Sequence, residues 1–183
     1  FNFYLNDVDA AQARPHLMEA AMRSAAWKLA EDAETYLKGV IKSGAGTKKT
    51  GPLPAGGLYE LLVAIKTAMD EKNVPRGNRK AVIPPSLEAG LLMDSRFISG
   101  GLHGQVVLSE GSVGRAAGFD LYVSNALDKE IIALTEEGVT FASQIGKTEA
   151  YRREKGFDDG VKGLSLCGAK VVVPECVYVH TIA

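Results

Sequence analysis

Thr148 to Val173 reads TEAYRREKGFDDGVKGLSLCGAKVVV, and this stretch decides the fold because it is ordered text with no chemistry in it. A strand-like piece, Thr148 to Arg152, leads into a charged, glycine-punctuated corner over Arg153 to Gly160. A longer β-rich run, Gly163 to Val173, follows and is closed by Pro174. Nothing in it pairs a nucleophile with a base, cages a metal or cradles a phosphate. The residues are spent on shape, which points to a protein that fits against copies of itself.

The totals agree with that reading. The chain has 183 residues, enough for one domain or two small lobes sharing a core. Its hydrophobic share of 46% and charged share of 23% are those of a folded protein, not a disordered one. The 21 basic and 22 acidic residues give a formal net charge of −1. Near-neutrality argues against a dedicated nucleic-acid binder, which needs a basic surface, and it lets identical subunits pack without strong repulsion. No apolar run approaches the roughly 20 residues that cross a bilayer. The opening Phe1-Asn-Phe-Tyr-Leu is too short for a signal peptide, and the missing initiator Met suggests that something lies upstream. Cys167 and Cys176 sit in apolar, β-like surroundings and read as buried free thiols; without a neighbouring His they make no zinc site.

Outward from the opening stretch, the chain alternates helical and strand patterns. Asp9 and Gln12 have the form of a capping box. A long helix follows, with Met18, Met22, Ala25, Leu29, Ala33, Tyr36 or Leu37, and Val40 recurring at threes and fours. Pro15 kinks or starts it, and Gly44 ends it. From Pro15 to Ser43 the rise is about 43 Å, long for a compact domain of this size, so the helix suits a backbone lying across two lobes. Ala45 to Gly57 reads as a Gly/Pro/Lys loop and the best internal boundary, with Ser43 to Thr50 a flexible linker. Helical spacing returns over Gly57 to Asn73 through Leu58, Leu61, Leu62, Ile65 and Met69. Lys80 to Ile83 is a strand stopped by Pro84-Pro85, and Ser86 to Asp94 a short helix. Phe97 to Gly104 is a loop, and Val106 to Leu108, Phe119 to Ser124 and Glu130 to Thr135 are strands. Gly138 to Gln144 fits either a short helix or a strand. Without a βαβ rhythm, the mixture indicates the α+β class.

Candidate chemical motifs each have a plainer reading. Ser43-Gly-Ala-Gly-Thr-Lys-Lys-Thr50 follows a helix C-terminus, whereas phosphate loops leave a strand and enter a helix N-terminus. Gly111 to Gly118 does not match the dinucleotide fingerprint; its glycines fit a turn before the Phe119 strand. His16, His103 and His180 show no ligand spacing, and Ser109, Ser112 and Ser165 have no nucleophile-elbow context. No catalytic, cofactor-binding or metal-binding residue is assigned. Asp158 and Asp159 lie beside Arg152, Arg153 and Lys162, a mixed-charge corner that reads as salt-bridged surface. At a subunit contact the same five residues would set register and partner choice.

Three stretches together resemble the major capsid proteins of tailed phages, with the Hong Kong 97-type fold. The first is Phe3 to Tyr36, where DVDAAQA precedes the Ala-rich helix, similar to the approach to that family's spine helix. The second runs from RKAVIPP at Arg79 to GRAAGFDLYVSN ending at Asn125, similar to the axial domain. The third, Gln144 to Pro174, carries EAYR, FDDGVKGL and GAKVVVP, similar to the family's return to the peripheral domain. The resemblance implies a spine helix over 1–44, an axial domain over 45–146 and peripheral return strands over 147–183. It implies a non-enzymatic subunit forming hexamers and pentamers in an icosahedral head around double-stranded DNA, assembled in the bacterial host cytoplasm. A scaffold or maturation protease is an implied partner; a cofactor and a membrane are not. The family's N-terminal arm and extended loop have no counterpart in these residues, which alone would be monomeric or weakly associated. Two other readings remain: an encapsulin-like compartment shell, and a small-molecule α+β enzyme with converging His16, His103 or Asp158.

Overall fold

A computed structural model describes residues 1–6, 17–94, 114–152, 154, 156 and 158–183. In chain order its elements are β1 (Asn2–Asn6), α1 (Leu17–Gly44), β2 (Thr47–Gly51), α2 (Gly57–Glu71), β3 (Arg79–Ile83), α3 (Pro85–Leu92), β4 (Arg115–Ala116), β5 (Phe119–Val123), β6 (Glu130–Thr135), β7 (Val139–Arg152), β8 (Asp158–Val171) and β9 (Val177–Ile182). The class is α+β. Asp9, Gln12, Pro15, Phe97 to Gly104 and Val106 to Leu108 lie outside the described residues.

The chain divides into two units by its internal contacts, Phe1–Leu37 with Phe141–Gly168, and Lys38–Thr140 with Ala169–Ala183. This differs from the expected division at 44 and 146, because the C-terminal residues do not stay with the strands that precede them. β9 inserts between β2 and β6 in the larger unit's six-stranded sheet, ordered β2-β9-β6-β3-β5-β4.

That sheet and two helices hold the core. Leu58, Leu61, Leu62, Ile65 and Met69, the stripe read from the spacing of α2, are all buried. They cluster with Ala81, Ile83, Leu91, Phe119, Ile131, Ala133 and Tyr178. β3 pairs parallel with β5 and antiparallel with β6, so Ala81 faces Ala133, which in turn faces Tyr178. β3 ends before Pro84, and Pro85 occupies the first turn of α3, where a missing amide costs nothing. β4 and β5 are joined through Ala117 and Gly118, with φ of 51° and 86°. Positive φ at both positions is what a two-residue hairpin turn requires.

Two expectations need correcting, and one open alternative is resolved in favour of a strand. Ala45 to Gly57 is not all loop, nor Ser43 to Thr50 a free linker: Thr47–Gly51 is β2, parallel to β9 from Thr47↔Tyr178 to Gly51↔Ile182. A polar TKKT sequence becomes a strand through its pairing partner, not through its own pattern. The ambiguous Gly138 to Gln144 lies mainly in β7, after a single 3-10 turn at Glu136–Gly138. β8 begins at Asp158 rather than near Gly163, because β1 pairs antiparallel with its first five residues.

α1 has 28 residues, about 42 Å of rise. Met18, Ala25, Leu29, Ala33 and Leu37 are half-buried; Met22 and Tyr36 are exposed, so Leu37 and not Tyr36 carries the stripe. Its residues to Leu37 belong to the smaller unit and those from Lys38 to the larger. Two of the latter, Lys38 and Lys42, bind Glu130 of β6; Lys38 Nζ lies 3.5 Å from Oε2 and donates at 2.8 Å to the Ala126 carbonyl. Burial pushes the Glu130 carboxyl upward, but the Lys42 and Lys38 ammonium groups outweigh it and hold the pKa below its usual value. Gly46 closes the helix exit by donating to Pro174 O at 2.9 Å; a Cβ there would lie 2.5 Å from that oxygen.

Arg79 organises the turn between α2 and β3. Its buried guanidinium donates to Val74 O at 2.5 Å and Pro75 O at 2.8 Å, and lies 2.8 Å from Asp70 Oδ1. Desolvation raises the Asp70 carboxyl, while Arg79 and then Arg76 pull it below its usual value.

Candidate assembly surface

In the smaller unit β8 lies between β1 and β7. Asn2 to Asn6 pair with Lys162 to Asp158, and Phe1 exchanges two backbone hydrogen bonds with Gly163, at 2.9 and 3.0 Å. On the β7 side, Tyr151 lies across Gly160, Glu149 faces Lys162, and Gly146 lies against Leu164. The descending order on one strand against the ascending order on the other is that of an antiparallel pair. Glycine at 160 is needed here, because a Cβ would sit 2.6 Å from the Tyr151 ring. Tyr151 then donates its hydroxyl to Asn2 Oδ1 at 2.8 Å, linking the two outer strands over the central one.

The mixed-charge residues expected at this corner are distributed as follows. Arg152 Nη1 and Asp159 Oδ1 are 3.5 Å apart, both exposed. Lys162 pairs with Glu149 at 3.1 Å and sits 5.6 Å from the centre of the Tyr151 ring. Glu149 is shared with Lys147 at 2.8 Å; these two lysines hold its carboxyl below the usual range. Asp158 is buried, and Arg153 lies outside the described residues. The structure therefore joins Arg152 to Asp159 and Lys162 to Glu149, and it removes Asp158 from the surface.

Sequence reasoning passed over the exposed apolar side chains of the smaller unit. Leu164 and Leu166 of β8 are 67% and 65% exposed, and Trp27 of α1 is 82% exposed. The signal for Trp27 was present: it lies about half a turn from Ala25 and Leu29, opposite the half-buried stripe. The leucines were masked because a β-rich run reads as core until its partners are known. Phe1, Phe3, Met18, Ala21 and Ala25 line a shallow open groove.

Centres for bond-making chemistry are not assembled among the described residues. No three His, Cys, Asp or Glu side chains there could hold a metal ion. His180 is buried in β9 between β2 and β6, while His16 and His103 lie outside the described residues. Cys176 is buried and Cys167 half-buried, both free. No described helix is long and apolar enough to cross a membrane.

A family model described as phage capsid protein matches residues 3–179. The chain belongs to the phage capsid protein family. This capsid protein is similar to a solved structure from Mycobacterium phage Che8, with a TM-score of 0.85 and 24% identity over 98% of this chain and 68% of that one. The capsid of cyanophage P-SCSP1u gives 0.80 and 18% identity over 100% and 71%. The holo-SrpI encapsulin complex of Synechococcus elongatus PCC 7942 gives 0.59 and 14% over 99% and 72%. No curated protein matches this capsid protein in sequence. The fold is the Hong Kong 97-type capsid fold, and the capsid protein is a structural subunit of a phage head.

Proposed function

We propose that the chain packs as hexamers and pentamers into an icosahedral head, assembled in the bacterial host cytoplasm, that encloses double-stranded DNA. The smaller unit, Phe1–Leu37 with Phe141–Gly168, is the peripheral domain, and the larger unit is the axial domain. One observation carries the reading: the family match spans both units, and the smaller unit leaves large apolar side chains in solvent that a lone molecule has no use for. Arg152, Arg153, Asp159 and Lys162 set the register between neighbours, with Asp158 holding the base of the corner from within. The net charge of −1 suits a wall that encloses DNA without gripping it. A scaffold or maturation protease acts on assembly and is not needed for the contacts themselves.

Cryo-electron microscopy of particles formed by the full-length protein, combined with nuclease digestion of their contents, tests this. Closed shells with pentameric vertices and nuclease-resistant double-stranded DNA are expected. Shells filled with a protein cargo would move the chain to the encapsulin reading, and a soluble monomer at every stage of expression would defeat both.

A further inference from the structure

We infer that the open border of β2 in the larger unit, with Lys48, Lys49 and Lys72, meets the phosphate backbone of duplex DNA. This assignment rests on the DNA-enclosing reading above and adds which surface touches the contents. β2 pairs with β9 along one edge, and its other edge borders the sheet. Lys48 and Lys49 are adjacent on it, so they project to opposite sides, and both are exposed. Lys72, exposed just past the end of α2, donates to Thr47 Oγ1 at the start of the strand. Lys48 donates to the Ser43 carbonyl at 2.8 Å. Two of the three ammonium groups are thus steadied by neutral oxygens, and their charge stays uncancelled.

Carboxylates partner most other described lysines and arginines, as Glu31 does Lys28, Glu136 does Lys80 and Asp120 does Arg115. Among the described residues no carboxylate is paired with Lys48, Lys49 or Lys72. The net charge of −1 therefore conceals a local excess of positive charge at this border. The chemistry of the border selects the partner. Thr47, Lys48, Lys49, Thr50 and Gly51 offer hydrogen-bond donors and charge but no large apolar side chain. A protein contact is centred on apolar side chains, whereas a phosphate backbone is held by ammonium, hydroxyl and amide groups. The lysines follow the C-terminus of α1 and not a helix N-terminus, so they suit a run of phosphates and not a nucleotide cradle. Three point charges per subunit give a weak, sequence-independent contact that every copy in the shell repeats. The β2 border accordingly belongs on the inner wall.

The test uses the full-length protein. Acetylation of lysine amines, read by mass spectrometry, is compared in dissociated subunits, empty shells and DNA-filled shells of the wild type. Lys48, Lys49 and Lys72 should label alike in subunits and empty shells and lose labelling only in filled ones. Changing Lys48→Gln, Lys49→Gln and Lys72→Gln together should leave the denaturation midpoint of dissociated subunits unchanged, since all three side chains are exposed. For those subunits on a duplex oligonucleotide, the slope of log affinity against log salt should shrink by about 2 to 3, at roughly 0.9 per lost phosphate contact. A control variant with Lys28→Gln, Lys147→Gln and Lys162→Gln loses the same charge from ion-paired sites and should keep the wild-type slope. Equal labelling in empty and filled shells, or equal slopes in the wild type and the β2 variant, overturns the inference while leaving the capsid reading intact. Protection already present in empty shells assigns the border to a subunit contact and also overturns it. Shells that never hold DNA remove the reading beneath it, and the inference falls with that.

Discussion

The larger unit buries Leu62, Ile65, Ile83, Phe119, Ile131 and Val177 almost completely, whereas in the smaller unit Val161 is the one large apolar side chain buried among the described residues. The smaller unit also exposes Phe1, Tyr4, Met22, Trp27, Tyr36, Phe141, Leu164 and Leu166. The two also differ in composition, since apart from Val8, Val161 and Ile145 every Val and Ile of the chain lies in the larger unit. The larger unit packs α2 and α3 with its sheet into one buried core, although Met93, Tyr122 and Val172 remain exposed on it. Among its described residues the smaller one has one helix and three strands, and these leave much of their apolar surface exposed. Its stability must come from neighbours, and binding that favours the folded subunit stabilises it by mass action.

The contrast can be broken first by truncation. Phe119→Ala should cost about 3–5 kcal/mol in urea denaturation of the free subunit, while Leu29→Ala on the half-buried stripe of α1 should cost about 1 kcal/mol. Equal costs would show that the smaller unit has a core of its own. Next, Arg79→Met removes the donors to Val74 O and Pro75 O and should cost about 3 kcal/mol in the same assay. A loss near zero would mean that the turn between α2 and β3 holds without it.

Acid sharpens the comparison further. Glu130 has a folded pKa below the ordinary value of 4.5. Its contribution is therefore complete above that value and is lost as pH falls through the lower, folded one. Urea midpoints recorded from pH 6 down to pH 3 should drop for the wild type, and Glu130→Gln should flatten that part of the slope. An identical slope in the variant would show that the lysines of α1 do not depend on this carboxylate. The smallest effect is expected at the exposed corner: Arg152→Ala should leave the subunit's denaturation midpoint unchanged, as exposed ion pairs contribute little. It should nonetheless lower shell yield, and an unchanged yield would remove Arg152 from the contact.

What was legible in the sequence follows the same division. The buried stripe of α2 was readable because its apolar positions obey one period, although the helix ends at Glu71 and not at Asn73. β3, β5 and β6 were found because short runs rich in β-branched, aliphatic or aromatic residues end at proline, polar or charged residues. β2 was missed: Thr47, Lys48, Lys49 and Thr50 carry no apolar alternation, and the strand exists through pairing with β9, far along the chain. The early start of β8 was hidden for the same reason, since Asp158 and Asp159 are poor strand formers until β1 pairs with them. The corner's charges were visible, but their division into Arg152–Asp159, Lys162–Glu149 and a buried Asp158 depends on cross-strand geometry that spacing does not encode.

β2 also has a consequence for how the molecule behaves when crowded. It forms one border of the six-stranded sheet, and Lys48 and Lys49 stand exposed on it. Two adjacent ammonium groups on an open border discourage a foreign strand from annealing there. Growth by endless strand addition, the route to fibres, is disfavoured at that margin, whatever the concentration of subunits.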